Sequence, residues 1–352
     1  MKQYTSGKTR PSNWQQYETE VTPGLSQTSA SELEALLSDH IRDLSTGPGW
    51  VRFTSDEFAS ALSSRTVSSI YILLRYDVPR PKALLGHEHF TRLISSIQQV
   101  FELSDHRAFA SFQISAAGSN TSVMRRLKTE IEAATGLRAT DDTGDLLLRI
   151  RRTKSGWDVL IRITPRPLSL RPWRVCDMQG ALNGPTAAAI IQLLGPKAGA
   201  NAINIACGSG TLAIEHALIQ PDVKIVACDI DPDALACAAE NVSAAGVRGH
   251  VKLIHGDARA LPLDDQSIDT LYADLPFGQL VGSHTDNQAL YPAVLHEAAR
   301  IARPNARLAI ITHEIRLMST VLAQQSAWQL ENEYPITLRG LHPRIYILRK
   351  QP

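Results

Sequence analysis

The chain has 352 residues, 43% of them hydrophobic and 20% charged, with a formal net charge of +1. This is an ordinary soluble composition, and a length well above one typical domain predicts two or three units. The longest apolar runs are only as long as strands, which excludes a membrane-spanning helix.

The front half of the chain predicts an α+β arrangement that follows a disordered tail at residues 1–13. Those first residues are polar and lack the apolar core of a signal peptide. Residues 14–66 and 67–166 are predicted as two successive α+β parts, and a proline-rich linker covers 167–180. The predicted strands are 17–21, 67–74, 109–115, 145–151 and 157–164, and the predicted helices are 31–44, 89–101 and 122–135.

Charge is distributed unevenly along the chain. Residues 1–175 carry 23 Lys and Arg against 18 Asp and Glu, whereas residues 176–352 carry 13 against 17. A basic front half joined to a mildly acidic back half is typical of a protein that captures a polyanion and presents it to a cofactor domain. Arg149, Arg151 and Arg152 are the candidate contacts on the basic strand. The alternative is a solvated strand face with no ligand.

The back half, residues 181–352, alternates regularly between strands and helices. Such alternation predicts a parallel sheet covered by helices on both faces. The last two strands instead predict an antiparallel hairpin, so the fold class is a Rossmann-like α/β domain with a reversed C-terminal hairpin. The predicted strands are 201–206, 223–229, 250–255, 268–273, 307–312, 328–336 and 341–349, and the predicted helices are 209–219, 232–245 and 288–302.

A glycine-rich turn joins the first of these strands to its helix. It runs Asn204-Ile205-Ala206-Cys207-Gly208-Ser209-Gly210-Thr211. The glycines allow a close backbone approach, and the helix N-terminus points amide groups at an anionic ligand group. The turn does not match the G-x-G-x-x-G dinucleotide fingerprint. It predicts a cofactor site, with a simple tight turn as the alternative.

Acidic residues end the next two strands. Asp229 precedes Ile230 and Asp231, and an acidic residue there can bind both hydroxyls of a ribose. The alternative role, capping the following helix, is assigned to Asp231. Asp257 and Ala258 end the third strand, where they are predicted to contact an adenine ring. Three neighbouring strand ends with polar groups indicate one ligand site.

The sequence Asp274-Leu275-Pro276-Phe277-Gly278 follows the fourth strand. An acidic residue before a proline–aromatic step is how amino-methylating enzymes hold a planar exocyclic amine. The carboxylate accepts a hydrogen bond from the amine, and the aromatic ring lies against the base. The sequence therefore predicts a methyltransferase that uses S-adenosylmethionine (SAM) and acts on a nucleobase.

The cysteines and histidines predict no further chemistry. Cys176, Cys207, Cys228 and Cys237 form no CxxC pair, and the histidines are scattered without ligand spacing. This pattern argues against a metal site and against a disulfide framework, and it favours a reducing, cytoplasmic location. Cys207 is interpreted as a packing residue in the turn. No feature predicts an oligomeric state.

Taken together, these motifs resemble the THUMP-containing RNA methyltransferases, especially the tRNA guanine-N2 methyltransferases. The resemblance is strongest in the catalytic half, from Arg171-Pro172-Trp173-Arg174 to Ile311-Thr312-His313-Glu314, and it includes Gly282-Ser283-His284 after the Asp274 motif. The resemblance implies a ferredoxin-like part at 14–66, a THUMP-like RNA-binding domain at 67–166, a class I methyltransferase domain at 181–352, and tRNA or another structured RNA as partner. Family members usually carry an acidic residue where this chain has Asn204.

The resemblance implies roles for the predicted site residues. Asp274, Pro276 and Phe277 are the catalytic set, and Arg149, Arg151, Arg152 and Arg344 are the RNA-binding set. The cofactor-binding set is Asn183, Asn204, Ala206, Cys207, Gly208, Gly210, Thr211, Asp229, Ile230, Asp257, Ala258 and Asp274.

Three alternatives stay open at the level of sequence. An adenine-N6 or cytosine-N4 methyltransferase favours a related motif, and Asp274 does not exclude it. A non-catalytic RNA-binding protein with a degenerate SAM pocket is favoured by Asn204. A small-molecule methyltransferase would rarely need the basic front half.

Overall fold

The computed structural model describes residues 14–104, 106–276 and 284–352. The chain divides into two compact units. The first comprises residues up to Glu20 together with Ala30–Leu168, and the second comprises Val21–Ser29 together with Ser169–Pro352. None of the helices in the described ranges is long and apolar enough to cross a membrane.

The front part of the chain is built on one eight-stranded mixed sheet in the order β2-β3-β1-β4-β8-β7-β5-β6. The sheet is continuous across residues 14–66 and 67–166, so strands from both predicted parts share it. The elements are β1 (Gln15–Val21), α1 (Ser26–Leu37), β2 (Ile41–Gly47), β3 (Trp50–Ser55), β4 (Val67–Tyr76), α2 (His87–Leu103), β5 (Ser111–Ala116), α3 (Ser122–Thr135), β6 (Arg138–Thr140), β7 (Leu146–Arg152) and β8 (Trp157–Arg162).

The predicted helix 122–135 is confirmed, whereas the predicted helix 31–44 is wrong over its second half. α3 has both end signals, because Thr121 caps its first turn and Gly136 ends it with a positive φ of 73°. α1 ends at Leu37, and Ser38 follows with a φ of 47°. Residues of β2 then pair with β3, because cross-strand partners override a local helical pattern.

The second unit confirms the predicted class I methyltransferase fold. Its seven-stranded sheet has the order β11-β10-β9-β12-β13-β15-β14. The strands from β11 to β13 are parallel, and β15 and β14 are antiparallel. The elements are α4 (Gly184–Leu194), β9 (Asn201–Ile205), α5 (Thr211–Ile219), β10 (Lys224–Asp229), α6 (Pro232–Ala244), β11 (Val251–His255), β12 (Ile268–Asp274), α7 (His284–Ile301), β13 (Ala302–Thr312), α8 (Ile315–Ala323), β14 (Trp328–Pro335) and β15 (Arg344–Lys350).

Sequence reasoning missed helices α4 and α8 of this unit. α4 is buried along nearly its whole length, and it has no polar face that would give a helical repeat of apolar residues. It begins where the Asn183 side chain accepts a hydrogen bond from the Thr186 amide, and it ends at Gly195 with a φ of 53°. The helix packs into the apolar core beside α5.

The prediction that the chain lacks a disulfide is wrong. Cys176 and Cys237 are bonded, with their Cα atoms 5.4 Å apart, although 61 residues separate them in the sequence. A spacing rule identifies cysteines that are close in sequence, and this pair is brought together by the fold. Cys207 and Cys228 are free and buried.

Candidate active site

A pocket of about 350 Å³ lies at the carboxyl ends of the parallel strands in the second unit. This is the edge where an open parallel sheet binds its ligands. The predicted residues that line it are Asn204, Ala206, Cys207, Gly208, Thr211, Asp229, Ile230, Asp257, Ala258, Asp274 and Pro276. Chain order had separated these residues by up to 72 positions, and the parallel topology brings them to one cavity.

The glycine turn forms one wall of the pocket. Gly208 has a φ of 51°, and its amide donates to Asp229 Oδ2 at 2.7 Å, so β9 and β10 are tied together at their ends. Gly210 has a φ of 81° and begins α5 instead of lining the pocket. A Cβ at Gly210 would lie 3.3 Å from the Ala238 Cβ, so the glycine allows α5 to approach α6 closely.

Of the two roles predicted at the end of β10, the structure confirms the helix cap at Asp231. Asp231 is the N-cap of α6, and its Oδ1 accepts from the Asp233 amide at 2.9 Å. Asp229 accepts from Gly208 and, through Oδ1, from the Asp231 amide at 3.0 Å. Asp229 therefore lines the pocket as a fixed carboxylate whose orientation is set by two backbone amides.

Asp257 lines the pocket, but an arginine already holds its carboxylate. Arg259 donates to both oxygens, with Nη2 2.6 Å from Oδ2 and Nε 3.0 Å from Oδ1. The hydrogen bonds from Arg259 hold the pKa of Asp257 below its usual value. Sequence reasoning assigned Asp257 to an adenine amino group and missed Arg259. A ligand that binds here has to share this carboxylate with the guanidinium.

Asn204 lines the pocket and carries an unpaired acceptor. The residue is only 1% exposed, and its Nδ2 makes long contacts of 3.4 and 3.5 Å to the carbonyls of Ile205 and Tyr272. Its Oδ1 has no hydrogen-bond partner among the described residues. Burial of an unpaired amide oxygen is costly, so this atom fits a donor supplied by a ligand, such as an ammonium group.

Asp274 is the last residue of β12 and lines the pocket. The residue is half-buried by its accessible surface, because the pocket reaches it, but protein atoms crowd the carboxyl group. This desolvation raises the pKa of Asp274 from 3.8 to about 7. Phe277, predicted to stack on the base, lies outside the described residues. The site therefore holds a carboxyl group whose ionisation changes near neutral pH.

The segment 178–182 forms a wall that sequence reasoning missed. All five of its residues line the pocket. Arg174 holds the end of this segment, because its Nη2 donates to the Leu182 carbonyl at 2.7 Å and to Thr211 Oγ1 at 2.9 Å. Asn183, predicted to contact the cofactor, caps α4 instead. The Arg-Pro-Trp-Arg motif at residues 171–174 is the sequence feature from which this wall could have been predicted.

The arginines predicted to bind RNA lie outside the pocket, and three of them are paired with carboxylates. Arg149 lies 3.0 Å from Glu20, and Arg344 lies 3.1 Å from Glu333. Arg151 donates to both oxygens of Glu18, with N–O distances of 2.6 and 2.8 Å, and it also contacts Asp158. Arg152 is exposed. Carboxylates of the front unit therefore neutralise much of the positive charge of β7.

The pocket, the strand order and the buried carboxylate agree with a comparison against known families. Residues 171–344 match the model of UPF0020, described as an RMKL-like methyltransferase domain. This part of the chain is therefore similar to the UPF0020 methyltransferase domain. The match begins at the arginine motif that holds the pocket wall, and it ends on the last strand.

Known proteins extend the similarity beyond this domain. The chain is 29% identical over 184 residues to bovine tRNA (guanine(6)-N(2))-methyltransferase THUMP3, which covers 49% of this chain and 36% of the relative. It is 22% identical over 383 residues to tRNA (guanine(6)-N2)-methyltransferase of Methanocaldococcus jannaschii, which covers 94% of this chain and 99% of the relative. The chain thus spans about a third of the length of the mammalian relative and nearly all of the archaeal one.

The solved structure of TrmN from Thermus thermophilus has the same fold. It superposes with a TM-score of 0.77 at 23% identity, over 95% of this chain and 99% of that one. These similarities confirm the predicted resemblance to tRNA guanine-N2 methyltransferases and the predicted methyltransferase domain, and the superposition confirms the fold.

Proposed function

We propose that the chain transfers a methyl group from SAM to the exocyclic N2 of a guanosine in tRNA. The observation that carries the proposal is the Asp274 carboxyl group, which lies in the same pocket as the glycine turn and the fixed Asp229 carboxylate. The names of the bovine and archaeal relatives support guanine N2 as the methylated atom and tRNA as the substrate.

The residues of the pocket fit the proposed cofactor. Asn204 offers its unpaired oxygen to the ammonium group of the methionine part, and Asp229 offers a carboxylate to the ribose hydroxyls. Ile230, which is 59% exposed although apolar, would be covered by the adenine ring. When bound, SAM supplies an already activated methyl group, so the protein has only to align the acceptor with it.

Asp274 would act on the incoming amine. Its ionised carboxylate accepts one N–H of the guanine amino group, turns the nitrogen lone pair toward the methyl group, and stabilises the positive charge that develops. The carboxylate has to be deprotonated to accept, and burial raises its pKa to about 7. Activity is therefore expected to require a pH near or above neutrality. Phe277 is proposed to stack on the base, a contact worth about 1–3 kcal/mol.

The proposed RNA surface rests on the front unit. Arg152 is exposed there, whereas Arg149 and Arg151 would have to share their charges with carboxylates. Arg344 belongs to the second unit and is likewise paired with a carboxylate. A methylated base must leave its stack to reach a pocket of this kind. We propose a cytoplasmic site of action, as expected for an enzyme that modifies tRNA. This proposal no longer rests on the cysteines, because Cys176 and Cys237 are bonded and disulfides are rare in the cytoplasm.

One alternative keeps a specific observation in its favour. Asn204 replaces an acidic residue, which weakens the attraction for a cofactor ammonium group and favours a non-catalytic RNA-binding protein. Its unpaired buried oxygen argues against this alternative, because an unused pocket has no need to maintain an orphaned acceptor. Calorimetry with SAM separates the two, since a non-catalytic protein would show no binding at millimolar SAM.

The deciding experiment incubates the full chain with unmodified tRNA and SAM, followed by mass analysis of the nucleosides. N2-methylguanosine is expected with the natural chain and absent with Asp274→Asn, which keeps the size of the side chain. Appearance of N6-methyladenosine or N4-methylcytidine would instead support the other base specificities. Equal activity of the natural chain and Asp274→Asn would remove Asp274 from the mechanism.

A further inference from the structure

Two side chains of α7 hold the main-chain carbonyl of Pro276, two residues after Asp274. Asn287 Nδ2 donates to this oxygen at 2.9 Å, and the Tyr291 hydroxyl donates to it at 2.8 Å. Both side chains are fully buried and lie one helical turn apart. A carbonyl oxygen has two lone pairs, so these two donors saturate it.

The donor and acceptor roles are fixed in the hydrogen bonds that link Tyr291 to Thr312 and Glu314. The Tyr291 hydroxyl lies 2.6 Å from Thr312 Oγ1, and the Glu314 amide donates to Thr312 Oγ1 at 3.0 Å. Because a carbonyl can only accept, the Tyr291 proton must point at Pro276. Thr312 must then donate to Tyr291. The chain of donors therefore runs from Glu314 through Thr312 and Tyr291 to the Pro276 carbonyl.

This chain is anchored on the strand that neighbours Asp274. Thr312 is the last residue of β13, and the residue before it, Ile311, accepts from the Leu275 amide at 3.1 Å. Asp274 is the register partner of Ile311 in the parallel pair. The backbone from Asp274 to Pro276 is thus fixed twice against β13, once by the main chain and once by side chains.

The carboxyl group itself has little else to hold it. The structure gives the Asp274 side chain no hydrogen bond with residues 14–104, 106–276 or 284–352, and its burial is the sole cause of its raised pKa. Its position therefore depends on the backbone that carries it. Neither Tyr291 nor Thr312 lines the pocket, so neither contacts a ligand there.

We propose that Tyr291 and Thr312 are positioning residues for methyl transfer, which fix the Pro276 carbonyl and thereby hold Asp274 in place for the acceptor amine. This inference rests on the proposed function, because it assigns the reaction to Asp274. A displacement of about 1 Å in a reacting group can cost up to about a hundredfold in rate. Loss of one of the two hydrogen bonds to Pro276 is expected to cost less than that.

Matched variants separate positioning from packing. Tyr291→Phe removes the hydroxyl and keeps the ring, and Thr312→Val removes the donor and keeps the shape. Thr312→Ser retains the donor and serves as the conservative rescue. Tyr346→Phe is the control, because Tyr346 is also buried in this unit and its hydroxyl is not part of the hydrogen bonds that hold the Pro276 carbonyl.

The first measurement is steady-state methylation of tRNA together with calorimetry of SAM. Tyr291→Phe and Thr312→Val are each expected to lower kcat about tenfold, while the KM for tRNA and the Kd for SAM change less than about twofold. Thr312→Ser and Tyr346→Phe are expected to retain the kcat of the natural chain. Unchanged kcat in Tyr291→Phe and Thr312→Val would overturn the inference. So would a fall in kcat that is matched by a fall in SAM affinity.

The second measurement needs no substrate. Hydrogen exchange at the Leu275 amide is expected to be about fivefold faster in Tyr291→Phe. This factor corresponds to the loss of about 1 kcal/mol of local stability, which is typical of one hydrogen bond. If the natural chain methylated no guanosine, the proposed function would fail, and this measurement would still decide whether Tyr291 and Thr312 fix the backbone that carries Asp274. Unchanged exchange in both Tyr291→Phe and Thr312→Val would refute it, and the second variant covers a failure of the first to fold.

Discussion

At the scale of single residues, the site depends on a carboxyl group that is costly to ionise. Burial raises the pKa of Asp274 to about 7, and the carboxylate is the form that can accept from an amine. The protein therefore loses stability to keep this group buried where the acceptor would bind. A destabilised ionisable group in a pocket is a frequent mark of catalysis.

The pH dependence of stability tests this burial. The pKa of Asp274 is higher in the folded chain than in the unfolded chain, so the folded state binds more protons between pH 3.8 and about 7. The contribution of Asp274 to stability is present below this window and is lost as the pH rises through it. Asp274→Asn removes the free-energy cost of burying an ionised carboxylate. This variant is expected to be more stable than the natural chain by up to about 4 kcal/mol at pH 8.

Chemical denaturation at pH 4 and pH 8 measures the difference between the two chains. The stabilisation by Asp274→Asn should nearly vanish at pH 4, where the natural residue is protonated. The same stabilisation at both values would show that the pKa of Asp274 is ordinary. The kcat of the natural chain is expected to rise through pH 7, whereas Asp274→Asn should stay inactive at every pH.

At the scale of elements, β7 shows how a basic strand can serve structure. Arg151 is held by Glu18, which is only 5% exposed, and by the buried Asp158. Burial by itself would raise the pKa of Glu18, but the hydrogen bonds from Arg151 and Arg52 lower it. Removal of Arg151 would leave the buried carboxylates of Glu18 and Asp158 with less positive charge to balance them.

Arg151→Ala is therefore expected to destabilise the front unit by about 1–2 kcal/mol, less than the loss of a fully buried ion pair, because the Arg151 side chain is 39% exposed. Arg152→Ala, one residue away and exposed, is the matched control and should change stability by less than about 0.5 kcal/mol. Urea denaturation followed by circular dichroism measures both. Equal stability of the two variants would mean that the Arg151 pairs contribute nothing.

The Cys176–Cys237 disulfide joins α6 to the chain just before the pocket wall at 178–182. Asn241, also on α6, supports the same connection, because its Oδ1 accepts from the amides of Val175 and Cys176. The disulfide thus restrains a wall of the cofactor pocket from the side of the linker.

Cys237→Ser is expected to weaken SAM binding about threefold or more, since a looser wall must be ordered on binding. Calorimetry with SAM under oxidising conditions measures the change against the natural chain. Cys228→Ser, which affects a free buried cysteine, is the control for a buried thiol. An equal affinity in Cys237→Ser and the natural chain would separate the disulfide from the pocket.

At the scale of the whole molecule, the basic charge of residues 1–175 is the feature that suits RNA. Binding of a polyanion by cationic side chains releases counterions, so affinity falls with salt. Arg152→Ala is expected to weaken tRNA binding and to reduce the slope of log affinity against log salt by about 0.7–0.9. A salt titration by filter binding measures it, and an unchanged slope would place the RNA surface elsewhere.

Most of the catalytic unit could be predicted from sequence because its signals are local. Strand and helix alternation gave the parallel sheet, and residues at successive strand ends, such as Asp229 and Asp274, had to converge at one edge. The front sheet was harder to predict. β2 forms because it pairs with β3, and no pattern within residues 41–47 predicts a strand there.

The sequence by itself determined the class of fold, the methyltransferase motif and the residues that end each strand, because those depend on short spacings and periodicity. Tertiary structure decided which groups are already occupied: Arg151 by Glu18, Asp257 by Arg259, Cys176 by Cys237 and the Pro276 carbonyl by Tyr291. The physical reason is that a charge or a donor can be recognised from its residue type alone. Its partner is set by distance in space, and most of these partners lie far away in the chain.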